Sequence, residues 1–292
     1  MVRIGTSGWR YPSWRGDFYP SGLRQRDELA YLSRLLTAVE VNGSFYSLQR
    51  PSSYAAWASQ VPDGFVFALK GGRFITHMRQ LVDVETPLAN FFASGVLALG
   101  DKLGPVLWQL PARQTFDEDR LAAFFELLPR TTDEAATLAA RHGTALSGDR
   151  ALTSAATSLP LRHALEPRHE SFRSRRATDL LRAHDIATVV SDSAGTWPQF
   201  DAVTSDLVYV RLHGDTELYA SGYSESALTA WAGHVQRWAG EGLDVHVYFD
   251  NDAKGHAPHD ARALLELLHL APAGAQLPPI RHVSGAHRRV GP

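Results

Sequence analysis

Eight short β-rich runs, most of them followed by a polar turn and a helical pattern, constrain this chain more than any other feature. The runs are Val2–Thr6, Ala38–Asn42, Phe65–Lys70, Val106–Leu110, Arg162–Glu166, Ala187–Asp192, Leu207–His213 and Val245–Asp250. Between them, Arg26–Leu36, Ser52–Gln60, Leu88–Leu99, Glu118–Leu128, Ser174–His184, Glu225–Trp238 and Ala257–Leu268 carry apolar residues at three- and four-residue spacing, the period of a helix with one buried face. Asp117 and Ser224 are placed as N-caps. Strand–helix alternation demands parallel strands. Eight such units in 292 residues close most simply as an α/β, single-domain (β/α)8 TIM barrel. An open doubly wound sheet is the alternative, and no Gly-x-Gly-x-x-Gly follows a strand to support it.

Two units depart from the pattern. Ser193–Ser205 is too short and too rich in Pro and Gly for a sixth helix. Thr131–Pro160 is longer than a crossover needs; we expect a helix at Asp133–His142 and then a mobile loop. The barrel therefore spans residues 1–270 with an insertion at about 131–160, and residues 271–292, rich in Pro, Gly, His and Arg without a period, form a loose tail.

The strands alternate more strongly than buried parallel strands usually do. Val39 and Val41 flank Glu40; Val208, Val210 and Leu212 alternate with Tyr209, Arg211 and His213. The apolar set must face the helices, so the other set faces the barrel axis. In this register the axis receives Arg3, Glu40, Asn42, Lys70, Gln109, Glu166, Arg168, Asp192, Arg211, His213, Tyr248 and Asp250. Each charge among them costs several kcal/mol to bury alone, so they must pair with one another or contact a ligand.

Sites in such barrels lie at the C-terminal strand ends. The densest chemistry there is Glu166-Pro-Arg-His-Glu-Ser-Phe172, which packs two acids, a guanidinium, an imidazole and a hydroxyl into one turn. Glu40 and Glu166 are candidate catalytic acid and base, with His169 and His213 as proton carriers near neutral pH. Candidate binding residues are Trp9, Tyr11, Asn42, Tyr46, Lys70, Gln109, Arg168, Asp192, Arg211, Asn251 and Asp252, because aromatic faces stack on rings and arginine forks grip phosphate. Gly71-Gly72 would let backbone N–H groups approach an anion. Against these stands a bland alternative, in which the inward charges neutralise one another as a salt-bridge plug.

Composition removes other classes. Without cysteine there are no disulfides, thiolate metal sites or cysteine nucleophile, which fits a reducing, cytoplasmic setting. A net charge of −2 gives no global field toward nucleic acid or membrane. A strand entered by Val2 leaves no room for a signal peptide, and no apolar run is long enough to span a membrane. No cofactor is expected. A divalent metal stays open through Glu40, Glu166, Asp192, His169, His213 and Asp252, although no tight His-x-x-x-His spacing is present and cations stand among the acids. No feature of the sequence sets an oligomeric state.

Several stretches together resemble the YecE-like family (domain of unknown function 72), a set of TIM-barrel proteins. They are Ile4-Gly-Thr-Ser-Gly-Trp9 with Tyr11, Trp14, Gly16 and Phe18-Tyr-Pro20; Val39-Glu-Val-Asn42 with Phe45-Tyr46; Gly104-Pro-Val-Leu-Trp-Gln-Leu-Pro111; Glu166–Phe172; Tyr209-Val-Arg-Leu-His-Gly214; and Val247-Tyr-Phe-Asp-Asn-Asp252. The resemblance runs from about residue 3 to 270 and implies the barrel; it brings no activity, cofactor or catalytic residue. From the residues we expect a hydrolase-like enzyme acting on a phosphorylated or nucleic-acid-derived substrate, with an anionic small molecule or nucleic-acid fragment as its partner. The alternatives are a carbohydrate-active enzyme using Glu40 and Glu166, and a non-catalytic binding protein.

Overall fold

The computed structural model describes residues 1–272. Strands β1 (Val2–Ser7), β2 (Ala38–Val41), β3 (Val66–Lys70), β4 (Leu103–Gln109), β5 (His163–Glu166), β6 (Ile186–Asp192), β7 (Leu207–Leu212) and β8 (Asp244–Phe249) form a closed barrel in chain order. Every pair is parallel, and β8 closes on β1 from Val2↔Val245 to Thr6↔Phe249. The expected barrel is the observed one. The tail expected over 271–292 lies, beyond its first two residues, outside the described part of the chain.

The helices are α1 (Glu28–Leu32), α2 (Gly43–Tyr46), α3 (Pro51–Gln60), α4 (Glu85–Ala93), α5 (Glu118–Glu126), α6 (Thr132–Ala139), α7 (Arg175–Ala183), α8 (Glu225–Gly240) and α9 (Ala257–Leu267). Asp117 and Ser224 cap α5 and α8 as expected. The helix expected across Leu88–Leu99 is broken. Gly95 sits at φ 115°, where a Cβ would lie 2.4 Å from Pro51 Cα, and the chain continues as a 3-10 segment, Val96–Lys102. Apolar spacing runs through the break because both pieces bury apolar residues in the same core. The stretch expected to be a mobile loop is pinned: Thr132 N–H donates to Leu159 O, Leu152 N–H to Ala93 O, and Leu146 is buried.

Residue size explains how the interior is filled. The helix-facing set (Val39, Val41, Phe67, Leu69, Val106, Trp108, Leu165, Val208, Val210, Val245, Val247) joins the main core. Inside the barrel, Ala38, Ala68, Ala164 and Ala187 are small, and β1 contributes Gly5, whose Cβ would meet Ala38 O at 2.1 Å. That leaves room for Tyr209 and Tyr248, whose rings pack 5.1 Å apart across β7 and β8. Above them the long Arg211 side chain can cross the axis. Large side chains from two strands opposite small ones from the others is the layered filling a barrel of this size requires.

Candidate functional site

Arg211 stands at the centre, fully buried on β7. Its Nη2 donates to Glu40 Oε1 at 2.9 Å, its Nε to Glu40 Oε2 at 3.1 Å, its Nη1 to Glu166 Oε2 at 2.9 Å, and Nη2 again to Asp250 Oδ2 at 2.8 Å. One guanidinium thus gathers carboxylates from β2, β5 and the end of β8. Each acid has further support. Glu40 also accepts from the hydroxyls of Ser7 (2.7 Å) and Tyr209 (2.6 Å). Glu166 also accepts from Gln109 Nε2 (2.9 Å) and twice from Arg168, whose Nε and Nη2 reach Oε1 at 2.9 and 2.7 Å. Burial alone would raise the Glu166 carboxyl, but Arg168 and Arg211 outweigh it and hold it well below the usual range. Burial likewise opposes ionisation of Asp250, and Arg211 with His213 brings it down to about 2.

His213 belongs to this cluster but does not face solvent. Its Nδ1 lies 3.0 Å from Asp250 Oδ2 and its Nε2 3.7 Å from Glu166 Oε1. Two loop aromatics cover it edge-on: Trp197 from the β6 loop at 5.4 Å and Tyr219 from the β7 loop at 5.3 Å. Trp197 also carries Arg168 on its face at 3.8 Å and donates its indole N–H to Ser191 Oγ. Tyr219 (φ 62°) and Ala194 (φ 49°) in these loops adopt left-handed backbone that costs non-glycine residues energy.

A second group of charges rings the β3–β5 side. Lys70, at the end of β3, is nine-tenths buried, with its ammonium 4.5 Å above the Phe45 ring. Arg73 and Arg113 are exposed nearby, close enough that burial together with Lys70, Arg168, Arg73 and Arg113 pushes His77 down to about 4. Among the described residues, no carboxylate pairs with Lys70, Arg73 or Arg113. Arg79, by contrast, is spent on Asp83.

On the opposite side of the mouth Asp252 is buried, and neither carboxylate oxygen has a hydrogen-bond partner among the described residues. The neighbouring Tyr11 hydroxyl donates to the Ser7 carbonyl instead. Burial, then the charge of Asp250, raises Asp252 well above the usual range. A raised folded-state pKa gives stability that is complete below the unfolded value and lost as pH rises through the folded one. Asp252→Asn should therefore flatten this loss, leaving the variant more stable than wild type by about 1–3 kcal/mol at mildly alkaline pH. Urea denaturation at about pH 5 and pH 8 checks this; a variant less stable at both would show the carboxylate to be satisfied.

Trp9, Tyr11, Asn42 and Tyr46, with Arg10, Gln49 and Trp57, line a trough of about 320 Å³ beside the mouth. Tyr46 projects into solvent, Trp9 packs edge-on against Trp57 at 5.3 Å, and Asn42 Oδ1 has no partner among the described residues.

Four sequence expectations are corrected. Asp192 does not face the axis: Ala187 and Val189 point inward, so Ser191 does too, and Asp192 turns to the helix side, where the Tyr223 hydroxyl donates to it at 3.1 Å. Asn251 is a tie between loops, its Nδ2 donating to Ser221 O and Asp260 Oδ2. His169 caps the turn Glu170–Arg173, accepting from Ser171 N–H, and makes no contact with the acid cluster. Gly71 N–H donates to Leu107 O, and a Cβ on Gly71 would strike Trp108 at 2.2 Å, so packing rather than anion binding demands that glycine. The sequence does not single out Ser7, or Arg113, which sits in a loop with no period to mark it; Tyr209 and Asp250 are expected on the inward face but without a site role, and Arg73 is expected only to add positive charge at the mouth. Among the described residues, no three His, Asp or Glu side chains converge as metal ligands, and no helix is long and apolar enough to cross a membrane.

Comparison with known proteins agrees with the fold. The family model described as "Protein of unknown function DUF72" matches residues 3–282. The UPF0759 protein YunF of Bacillus subtilis is 23% identical, over 94% of this chain and 97% of its own. The UPF0759 protein YecE of Escherichia coli is 30% identical over 44% of this chain and 43% of its own. A DUF72 family protein from Thermotoga maritima superposes with a TM-score of 0.73 at 25% identity, covering 92% of this chain and 99% of that one. A DUF72 family protein from Enterococcus faecalis does so with a TM-score of 0.71 at 19% identity, covering 92% and 96%.

Proposed function

This chain belongs to the DUF72 family of barrels, and from its mouth we propose that it is a hydrolase-like enzyme acting on a phosphorylated or nucleic-acid-derived substrate. The carrying observation is the division of charge. Acids crowd the axis, where Arg211 binds all three and Arg168 adds a second cation, while Lys70, Arg73 and Arg113 stand on one side without a carboxylate partner among the described residues. Cations left unpaired at a barrel mouth fit an anionic ligand, and Arg168 adds a planar fork at its edge. Across the mouth, burial and then the charge of Asp250 raise Asp252 well above the usual range, which favours its acid form and suits it to give a proton to a leaving group. Trp197 and Tyr219 are placed to shield the site from water.

The carbohydrate reading loses support from the same geometry. Glu40 and Glu166 are both fully buried on one guanidinium, and Glu166, held low, is a poor proton donor.

Calorimetric titration with inorganic phosphate and a short oligonucleotide tests the proposal. Affinity should fall steeply with salt, and the double variant Arg73→Ala/Arg113→Ala should bind at least about tenfold more weakly with unchanged melting. Binding that ignores both salt and these arginines, or that favours neutral sugars, would reject it.

A further inference from the structure

The chain has 26 arginines and only three lysines. Two of the lysines have plain structural roles. Lys102 Nζ donates to Ala58 O (2.8 Å) and Val61 O (2.9 Å), and Lys254 pairs with Glu217 (2.9 Å) at the surface. Lys70 has neither kind of partner. It is the lysine of the barrel interior, at the C-terminal end of β3, buried against Phe45, with no hydrogen bond and no carboxylate in ion-pair contact among the described residues. Where this protein needs a fixed charge for pairing, as at Arg211, Arg168 and Arg162, arginine supplies it. An amine differs from a guanidinium in one way that matters here: it can lose its proton and act as a nucleophile.

We infer that Lys70 is a nucleophilic lysine, which forms a covalent imine with an aldehyde or ketone carbonyl of a phosphorylated substrate. The inference rests on the anion-binding reading for the phosphate, and goes beyond it in assigning covalent chemistry. The Nζ lone pair attacks the carbonyl carbon. The C=O π pair moves to oxygen, which takes one proton from solvent, and the attacking nitrogen gives one up. The carbinolamine oxygen then takes a second proton and leaves as water, while the nitrogen lone pair closes the C=N bond. One neutral amine, one carbonyl and one proton thus give one iminium and one water, with no oxidant or reductant consumed. Hydrolysis returns the amine.

The surroundings suit that role. Burial, and then the positive charge of Arg211, push Lys70 down to about 8, against the opposing pull of Glu40, Asp250 and Glu166. His77, the other titratable group on this side, is held neutral near neutral pH, so it adds no further charge. Near pH 7.5 the neutral fraction of such an amine exceeds that of an ordinary lysine about two-hundredfold. Arg73 and Arg113, exposed and close enough to His77 to act on it as Lys70 does, would hold a phosphate on this side of the mouth, and the Lys70 nitrogen lies over the Phe45 ring with no hydrogen-bond acceptor in reach among the described residues.

The test is reductive trapping. The protein is incubated near neutral pH with cyanoborohydride and either glycolaldehyde phosphate or glycolaldehyde, then digested for peptide masses. We expect Lys70 to gain the reduced adduct at least about tenfold faster than Lys102 or Lys254, and faster from the phosphorylated probe. Lys70→Arg keeps the charge; it should lose this adduct alone, with labelling of Lys102, Lys254 and the N-terminal amine unchanged as the control for folding. Equal Lys70 rates from both probes would uphold the nucleophile and count against the phosphate reading. Labelling of Lys70 no faster than that of Lys254, from both probes, would overturn the inference; phosphate titration would then judge the anion reading by itself.

Discussion

Arg211→Ala should cost at least about 3–5 kcal/mol and leave little folded protein at physiological temperature. The wild-type side chain is fully buried and gives hydrogen bonds to Glu40, Glu166 and Asp250 at 2.8–3.1 Å. Removing it leaves three acids in one dry layer with unequal support. Glu40 keeps Ser7 and Tyr209, Glu166 keeps Arg168 and Gln109, and Asp250 keeps only His213. The uncompensated charge dominates the loss, so pH should reverse its sign. In wild type, Glu166 and Asp250 have depressed folded-state pKa values. Their stabilisation is complete above the unfolded range of about 4 and is lost only below it, so wild-type stability should change little between about pH 7 and 5. In the variant Asp250 is buried without its guanidinium, which raises it, while Glu166 keeps Arg168, so stability should return as Asp250 protonates on acidification. Thermal melts at those two pH values decide the matter. A variant that melts near wild type, or that weakens further on acidification, would show that Arg211 does not hold the cluster together.

This dependence on one residue bears on what the sequence could show. The inward parity of Glu40, Gln109, Glu166 and Arg211 was legible because each stands between apolar neighbours that must face the helices. Their meeting was not, since Glu40 and Arg211 lie 171 residues apart and only closure of the barrel brings β2 opposite β7. Parity failed in β6, where Ala187, Val189 and Val190 are apolar on both faces and give no contrast to place Asp192. It also gave no guide past the strand ends. Asn251 and His169 follow a strand by only a few residues, yet turn geometry sends their side chains into local ties. Arg73 and Arg113 reach the mouth from loops, whose course no hydrophobic period sets. The breaking glycine, Gly95, is required by the approach of Pro51, a contact between distant segments that spacing alone does not reveal.

Arg168→Ala should separate binding from stability. Arg168 looks like part of the plug, because both its Nε and Nη2 reach Glu166. Both, however, go to one oxygen, Oε1, while Oε2 is held independently by Gln109 and Arg211. Its side chain is 13% exposed and lies on the Trp197 face, at the edge of the mouth rather than beneath it. Glu166 therefore keeps one cation and Gln109 when Arg168 is removed. The lost hydrogen bonds and stacking should cost about 1–2 kcal/mol, well short of the penalty for an orphaned buried charge. Phosphate affinity should drop about 10–100-fold, since a fork that can swing from Glu166 to ligand is gone. Trp197 should also lose its cationic cover, so its fluorescence should respond to salt less than in wild type. The measurements are a urea titration and a phosphate titration on the same preparation. Should stability instead collapse by about 3–5 kcal/mol while wild-type protein binds no phosphate, Arg168 is part of a structural plug and the mouth has no anion site.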